Sequence, residues 1–155
     1  MTGPDAGAAG ERRLAAGLFN RVWELLDRTE RTPAEDDEMV NAAHASRYFW
    51  GRVGTPVNVA RGEWQCARVY AALGRAEPAL HHARRCLDVC DRHDLGDFDL
   101  ACAHEALARA SRVAGREADT RRHVALGLEA AGRITDPDDA RIVLTDLTEL
   151  TELSG

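Results

Sequence analysis

Asn58, Arg61, Gln65 and Arg68 recur at alternating three- and four-residue steps, a spacing that places them along one stripe of a helix. Val59, Cys66, Val69, Tyr70 and Leu73 fall on the other side. In the helical pattern just before it, Met39, Ala43, Phe49, Trp50 and Val53 form an apolar face, and Asn41, His44, Arg47 and Tyr48 lie roughly opposite. The two polar sets bring together guanidinium, amide, imidazole and phenol groups, a donor-rich combination suited to a carboxylate or a phosphate. Antiparallel packing of the two helices would converge the stripes on one groove, a local cationic site on an acidic chain. The alternative is that the same residues are solvated faces or make hydrogen bonds between helices.

Other residues carry chemistry with a plainer reading beside it. His82, Cys86 and Cys90 stand at i, i+4 and i+8 with His93 just beyond, soft ligands for zinc or copper. Three successive i+4 positions climb a helix instead of surrounding a point, and both cysteines lie in an apolar stripe, which favours core packing. His104 shares a helix side with Leu100, Leu107 and Ser111, as an interior hydrogen-bonded histidine does, the alternative being a ligand or general base; Glu105 faces the opposite way. Glu63 falls between Ala67 and Tyr70 on a largely apolar side. It must either pair with an arginine or have a raised pKa, and the second case would suit a general acid or base.

The chain contains no C-x-x-C, H-E-x-x-H or zinc-finger spacing, and Gly51-Arg52-Val53-Gly54-Thr55 lacks the glycine spacing and lysine of a phosphate-binding loop. No cofactor is called for. An enzyme or metal carrier built on Glu63, His44, His82, Cys86, Cys90 or His104 is the alternative to a non-catalytic binding module.

The elements that must position these residues read as about seven helices and no strand. Leu14, Leu18, Val22, Leu25 and Leu26 give a first amphipathic helix from about Glu11, after a small-residue lead-in over 1–10 expected to be disordered. Thr32-Pro33-Ala34-Glu35 and Thr55-Pro56 start the second and third helices with a threonine cap followed by proline. A fourth helix follows the Gly74-Arg75-Ala76-Glu77 connector and runs to the loop over His93 to Asp97, helices from about Phe98 to Ala114 and Ala118 to Ala131 come next, and Asp136-Pro137-Asp138-Asp139 caps a last one. On it, Leu144, Leu147, Leu150 and Leu153 raise homodimerisation as an alternative to capping the core.

Composition agrees with one domain over 11–155. Aromatic residues are only 5% of the 155 and alanine is abundant, which favours closely packed helices over a sheet. A net charge of −6 argues against a nucleic-acid footprint, and His81, Arg84, Arg85, Arg121 and Arg122, on faces expected to be solvated, lack interleaved aromatics. Apolar runs fall short of a membrane span and the N-terminus lacks a signal pattern, so a cytoplasmic protein is expected. The four cysteines, all within predicted helices, are expected as reduced thiols.

Ala72-Leu73-Gly74-Arg75 and Val113-Ala114-Gly115-Arg116 sit 41 residues apart, and His82/His123, Leu87/Leu128 and Asp88/Glu129 match at that offset. Tyr70-Ala71-Ala72-Leu73-Gly74-Arg75-Ala76-Glu77-Pro78-Ala79-Leu80 resembles the turn of the tetratricopeptide (TPR) repeat, with an aromatic and Leu-Gly closing one helix and Ala-Leu opening the next. The period is longer than the family's usual value of about 34, and the second copy lacks the tyrosine and the Ala-Leu pair. The stretch from His44 to Leu80 also resembles small bacterial TPR-like proteins. The resemblance implies an α-α superhelix whose first helices line a concave groove for an extended peptide. The expected partner is a protein or peptide segment, or a small anionic ligand.

Overall fold

The structure, a computed structural model, describes residues 3–152. Seven helices account for nearly all of them: α1 Pro4–Leu26, α2 Pro33–Val53, α3 Pro56–Ala72, α4 Ala76–His93, α5 Asp97–Val113, α6 Glu117–Ala131 and α7 Pro137–Glu152. No strand occurs among the described residues.

Local chemistry sets the boundaries. Thr32 accepts a hydrogen bond from the Glu35 amide at 3.2 Å, and Asp136 accepts from the Asp138 and Asp139 amides at 2.8 and 3.1 Å, so orphan donors at the starts of α2 and α7 are satisfied. Gly74 and Gly115 have φ of 70° and 72°, a left-handed conformation that disfavours a side chain. Each lets the next amide turn back, Arg75 N–H to the Tyr70 carbonyl at 2.9 Å and Arg116 N–H to that of Ser111 at 2.8 Å. The 41-residue offset thus marks two identical helix ends.

Helix α1 begins at Pro4, which corrects the expectation of a disordered lead-in over 1–10 for the residues from 4 onward. Pro4 opens the first turn, Asp5 complements the N-terminal end of the helix dipole, and alanines supply propensity without a core contact. Met1 and Thr2 lie outside the described residues.

The helices form hairpins α1/α2, α3/α4 and α5/α6, and α7 packs on α5 and α6. The backbones of the odd-numbered helices approach one another in succession, whereas those of α2, α4 and α6 stay apart, α2 meeting α4 through the His44 and His82 rings. A stack closed along one layer and splayed along the other curves toward the closed layer, so α1, α3, α5 and α7 line its inner face. The largest apolar cluster runs through α3, α4, α5 and α7 around Trp64, Ala83, Cys86, Cys90, Ala106 and Leu147, and a smaller one joins Val22, Leu25, Met39 and Ala43 to Cys66 and Val69. All four cysteines are buried and unbridged. On α7, Leu147 and Leu150 are buried in the chain's own core while Leu144 is exposed, so the leucine stripe is divided; Leu153 lies outside the described residues. Among the described residues no helix is long and apolar enough to cross a membrane.

The offset extends to side chains. Trp23, Trp64, Glu105 and Asp146 stand at 41-residue intervals, one on each odd helix, and Trp64 Nε1 donates to Glu105 Oε2 at 3.2 Å. The Trp23 and Trp64 rings lie 5.3 Å apart. One register position therefore runs through the whole stack, aromatic in its first half and acidic in its second.

Candidate functional site

The eight residues expected to share one groove are distributed by the structure over four places. His44 and Arg47 face α3 and α4; Arg61 and Arg68 face α5; Gln65 faces α1; Asn41, Tyr48 and Asn58 lie elsewhere on α2 and the start of α3. Arg61 Nε donates to Asp99 Oδ1 at 2.9 Å with its guanidinium over the Phe98 ring, and the buried Gln65 donates to the Phe19 carbonyl at 2.9 Å. Asn58 accepts from the Thr55 amide at 3.0 Å and caps α3, and Asn41 and Tyr48 are exposed. A wheel gives each residue's direction but not which neighbour stands there, and α3 packs against α1, α2, α4 and α5.

Two buried carboxylates organise what does converge. The first is Glu63, 2% exposed, in the gap between α2 and α4. Its Oε1 accepts from Arg47 Nε and Arg85 Nε, both at 2.9 Å, and its Oε2 pairs with His82 Nδ1 at 2.7 Å. Burial alone would raise its pKa. The hydrogen bonds from His82 and Arg85 and the charge of Arg47 outweigh burial and hold it at about 2. Glu63 is therefore the paired carboxylate of the two sequence alternatives. Gly62 makes the arrangement fit: a Cβ there would meet Arg47 Cδ at 2.8 Å.

Beside this carboxylate, His44 Nε2 lies 2.8 Å from the Tyr70 hydroxyl, and the Tyr70 and His82 rings stack at 5.7 Å. Burial and the nearby His82 lower the His44 pKa, and burial raises that of Tyr70. Two arginines, two histidines and a tyrosine thus surround one acid on the outer side of the stack.

The second hub is Glu105, 1% exposed, which faces away from the helix side of His104 as expected but is buried against α3. It accepts from Trp64 Nε1, from Arg68 at 3.2 Å and from Arg109 Nε at 2.6 Å. Arg68 also reaches Asp146 Oδ1 at 3.5 Å; burial, against the pull of Arg68, leaves the Asp146 pKa raised. The available signal was the offset itself, because Glu105 repeats Trp64 and Arg109 repeats Arg68.

Beside this hub the inner face opens into a cavity of about 360 Å³ lined by Arg68, Ala71, Arg109, Arg112, Val113 and Leu150. Arg109 Nη2 is buried there with no hydrogen-bond partner and an ion pair to Glu149 Oε2 at 3.9 Å, and the Arg112 side chain makes no hydrogen bond or ion pair among the described residues. Arg68, Arg109 and Leu150 are again one register position on α3, α5 and α7.

The proposed metal ligands do not surround a point. Cys86 and Cys90 are buried in the main apolar cluster, their mutual hydrogen bond and burial push the Cys86 thiol well up, and His82 turns to Glu63. Among the described residues no group of three or more His, Cys, Asp or Glu is placed to hold a metal ion. His104 is buried, as its apolar side implied, with Nδ1 at 3.2 Å from His123 Nδ1.

Fold and site together define an all-helical stack of hairpins with an arginine-lined inner cavity and an acid-centred outer cluster. No family model matches the chain, and no curated protein or solved structure matches it.

Proposed function

We propose that the chain is a TPR-type binding module whose inner face takes a peptide segment or small anionic ligand at Arg68, Arg109 and Arg112. The observation that carries this reading is the buried Nη2 of Arg109, which makes no hydrogen bond and meets Glu149 Oε2 only at 3.9 Å, in a cavity that also holds the unpartnered Arg112 side chain. An unsatisfied buried guanidinium nitrogen is costly, and a carboxylate or phosphate oxygen is the partner that removes the cost. Ala71, Val113 and Leu150 beside it offer apolar contact to the rest of such a ligand. Four unbridged thiols agree with a reducing, cytoplasmic setting.

The reading moves the ligand from the groove between α2 and α3 to the inner face. The two places are separated by titrating isotope-labelled protein with short acidic peptides and following amide shifts. Shifts centred on 109–113, lost in Arg112→Ala and kept in His44→Ala, are expected. Shifts that follow His44 instead, or no response to any acidic peptide, would rule the inner-face site out.

A further inference from the structure

We propose that His82 is a phosphoryl-accepting histidine: its Nε2 takes a phosphoryl group from a small donor, an acyl phosphate or phosphoramidate, while Arg47 and Arg85 hold the phosphoryl oxygens. The site lies on the outer side of the stack and is independent of the inner-face reading.

An imidazole becomes a defined nucleophile when one nitrogen carries the proton and the other keeps its lone pair in reach of solvent. Glu63 is ionised and accepts only, so the proton of the 2.7 Å contact belongs to His82 Nδ1. The lone pair is then on Nε2. That atom has no hydrogen-bond partner and is not among the buried unpaired atoms, so it reaches solvent from a ring whose side chain is 14% exposed. The Tyr70 ring stacked on one face and His44 at 5.2 Å fix the imidazole in place.

The charge around it is unbalanced in the useful direction. Arg47 and Arg85 each commit only Nε to Glu63, leaving their terminal nitrogens without hydrogen bonds yet not buried. Two guanidiniums against one carboxylate leave one positive charge around the Glu63–His82 pair, and guanidinium forks match phosphoryl oxygens. The inner-face arginines differ, because there the Arg109 nitrogen that lacks a hydrogen bond is buried and no histidine lies within the cavity lining.

In the transfer, the Nε2 lone pair forms the N–P bond as the bond from phosphorus to the leaving group breaks. The electron pair departs with the carboxylate of an acyl phosphate, or with the nitrogen of phosphoramidate, which leaves as ammonia. Nε2 has no proton to lose. The ring becomes cationic with Nδ1–H still facing Glu63, and the buried carboxylate is positioned to stabilise that charge.

The full chain treated with phosphoramidate tests this directly, with sites read by peptide mass spectrometry and the N–P bond by phosphorus NMR. His82 is expected to be labelled about tenfold faster than the exposed His81 and His93. Labelling that follows exposure, with His81 and His93 at or ahead of His82, overturns the proposal. Glu63→Gln, checked for folding by circular dichroism, is expected to slow His82 about tenfold and leave His81 unchanged. Arg85→Gln changes a half-exposed side chain and supplies a folded second variant in which His82 alone should slow. Unchanged His82 labelling in Arg85→Gln removes the guanidiniums from the site and overturns the proposal as stated.

Discussion

Glu63 and His104 stand at the same register position of successive hairpins, and each meets an imidazole 19 residues on, His82 for one and His123 for the other. The backbone arrangement is shared; the chemistry is not. Glu63 offers an acceptor to a protonated Nδ1 and is itself neutralised by Arg47 and Arg85. In the second pair two Nδ1 atoms face each other at 3.2 Å, a contact that holds only while one nitrogen carries a proton and the other does not. The places of Arg47 and Arg85 are taken in the second hairpin by Asp88 and Leu126. A repeat thus conserves a place for a polar pair between its two helices while the surrounding residues decide whether that pair is ionic or neutral.

The largest effect that tests the contrast is expected from Glu63→Gln. Removing the one buried carboxylate leaves Arg47, Arg85 and His82 without their acceptor; because Arg85 is half-exposed, the cost should fall below that of a fully buried pair, at about 2–3 kcal/mol. Urea unfolding monitored by circular dichroism measures it. A loss below about 1 kcal/mol would make Glu63 an ordinary surface acid and end the distinction between the two pairs.

A smaller effect is expected from Gly62→Ala, whose Cβ would meet Arg47 Cδ at 2.8 Å. Displacing that side chain should cost about 1–2 kcal/mol. Combined with Arg47→Ala, which clears the space, the alanine should add almost nothing further. Additive losses in the double variant would place the strain in the backbone instead.

These residues also show how far the sequence reaches. Helix number and the boundaries after the start of α1 were legible because caps, prolines and glycines act within a few residues, as at Thr32 and Gly115. The pairing of Glu63 was legible because a carboxylate on an apolar side requires a cation. The eight-residue groove was not, because helical direction leaves open which neighbour a side chain meets: Arg61 and Arg68 found acids on α5, and Gln65 found a carbonyl on α1. Glu105 faces away from His104 as expected, but its burial was not legible because its partners, Trp64 and Arg68, come from a helix about 40 residues earlier. Only the repeat offset carries that information, and only when followed beyond the turns.

The two pairs should respond differently to acid. Burial, with Arg122 nearby, lowers the pKa of His104 below its ordinary 6.5 despite Asp91 and Glu129; burial, His104 and Arg122 lower that of His123 despite Asp119. A lowered histidine pKa means that the unfolded chain binds protons first, so stability is full above 6.5 and falls as pH drops below it. Glu63, held at about 2 against an ordinary 4.5, contributes stability that is full above 4.5 and is lost as pH falls toward 2. Two descending steps are therefore expected in the melting temperature as the pH is lowered. Replacing His104 and His123 together by Gln should flatten that upper step, apart from a remainder due to His44, and leave the lower one in place. An upper step of unchanged size in that variant would take it away from the second pair.

The smallest change in stability, and the sharpest form of the comparison, is expected from His104→Glu, which writes the Glu63–His82 contact into the second hairpin. The new carboxylate would face His123 without the guanidiniums that accompany Glu63, since Asp88 and Leu126 stand in their places. Its burial cost and its attraction to the imidazolium therefore act in opposite directions, and the net change should stay within about 1 kcal/mol at neutral pH. The titration should reverse. His123 is held below 6.5 beside His104 and should titrate above 6.5 beside a carboxylate. A raised pKa contributes stability that is full below 6.5 and is lost as pH rises through the new value, so the slope contributed by this pair changes sign. Proton NMR of the His123 ring follows both features in one experiment. A His123 that still titrates below 6.5 would mean that burial, not the identity of its partner, governs the pair, and the two hairpins would then differ in exposure more than in chemistry.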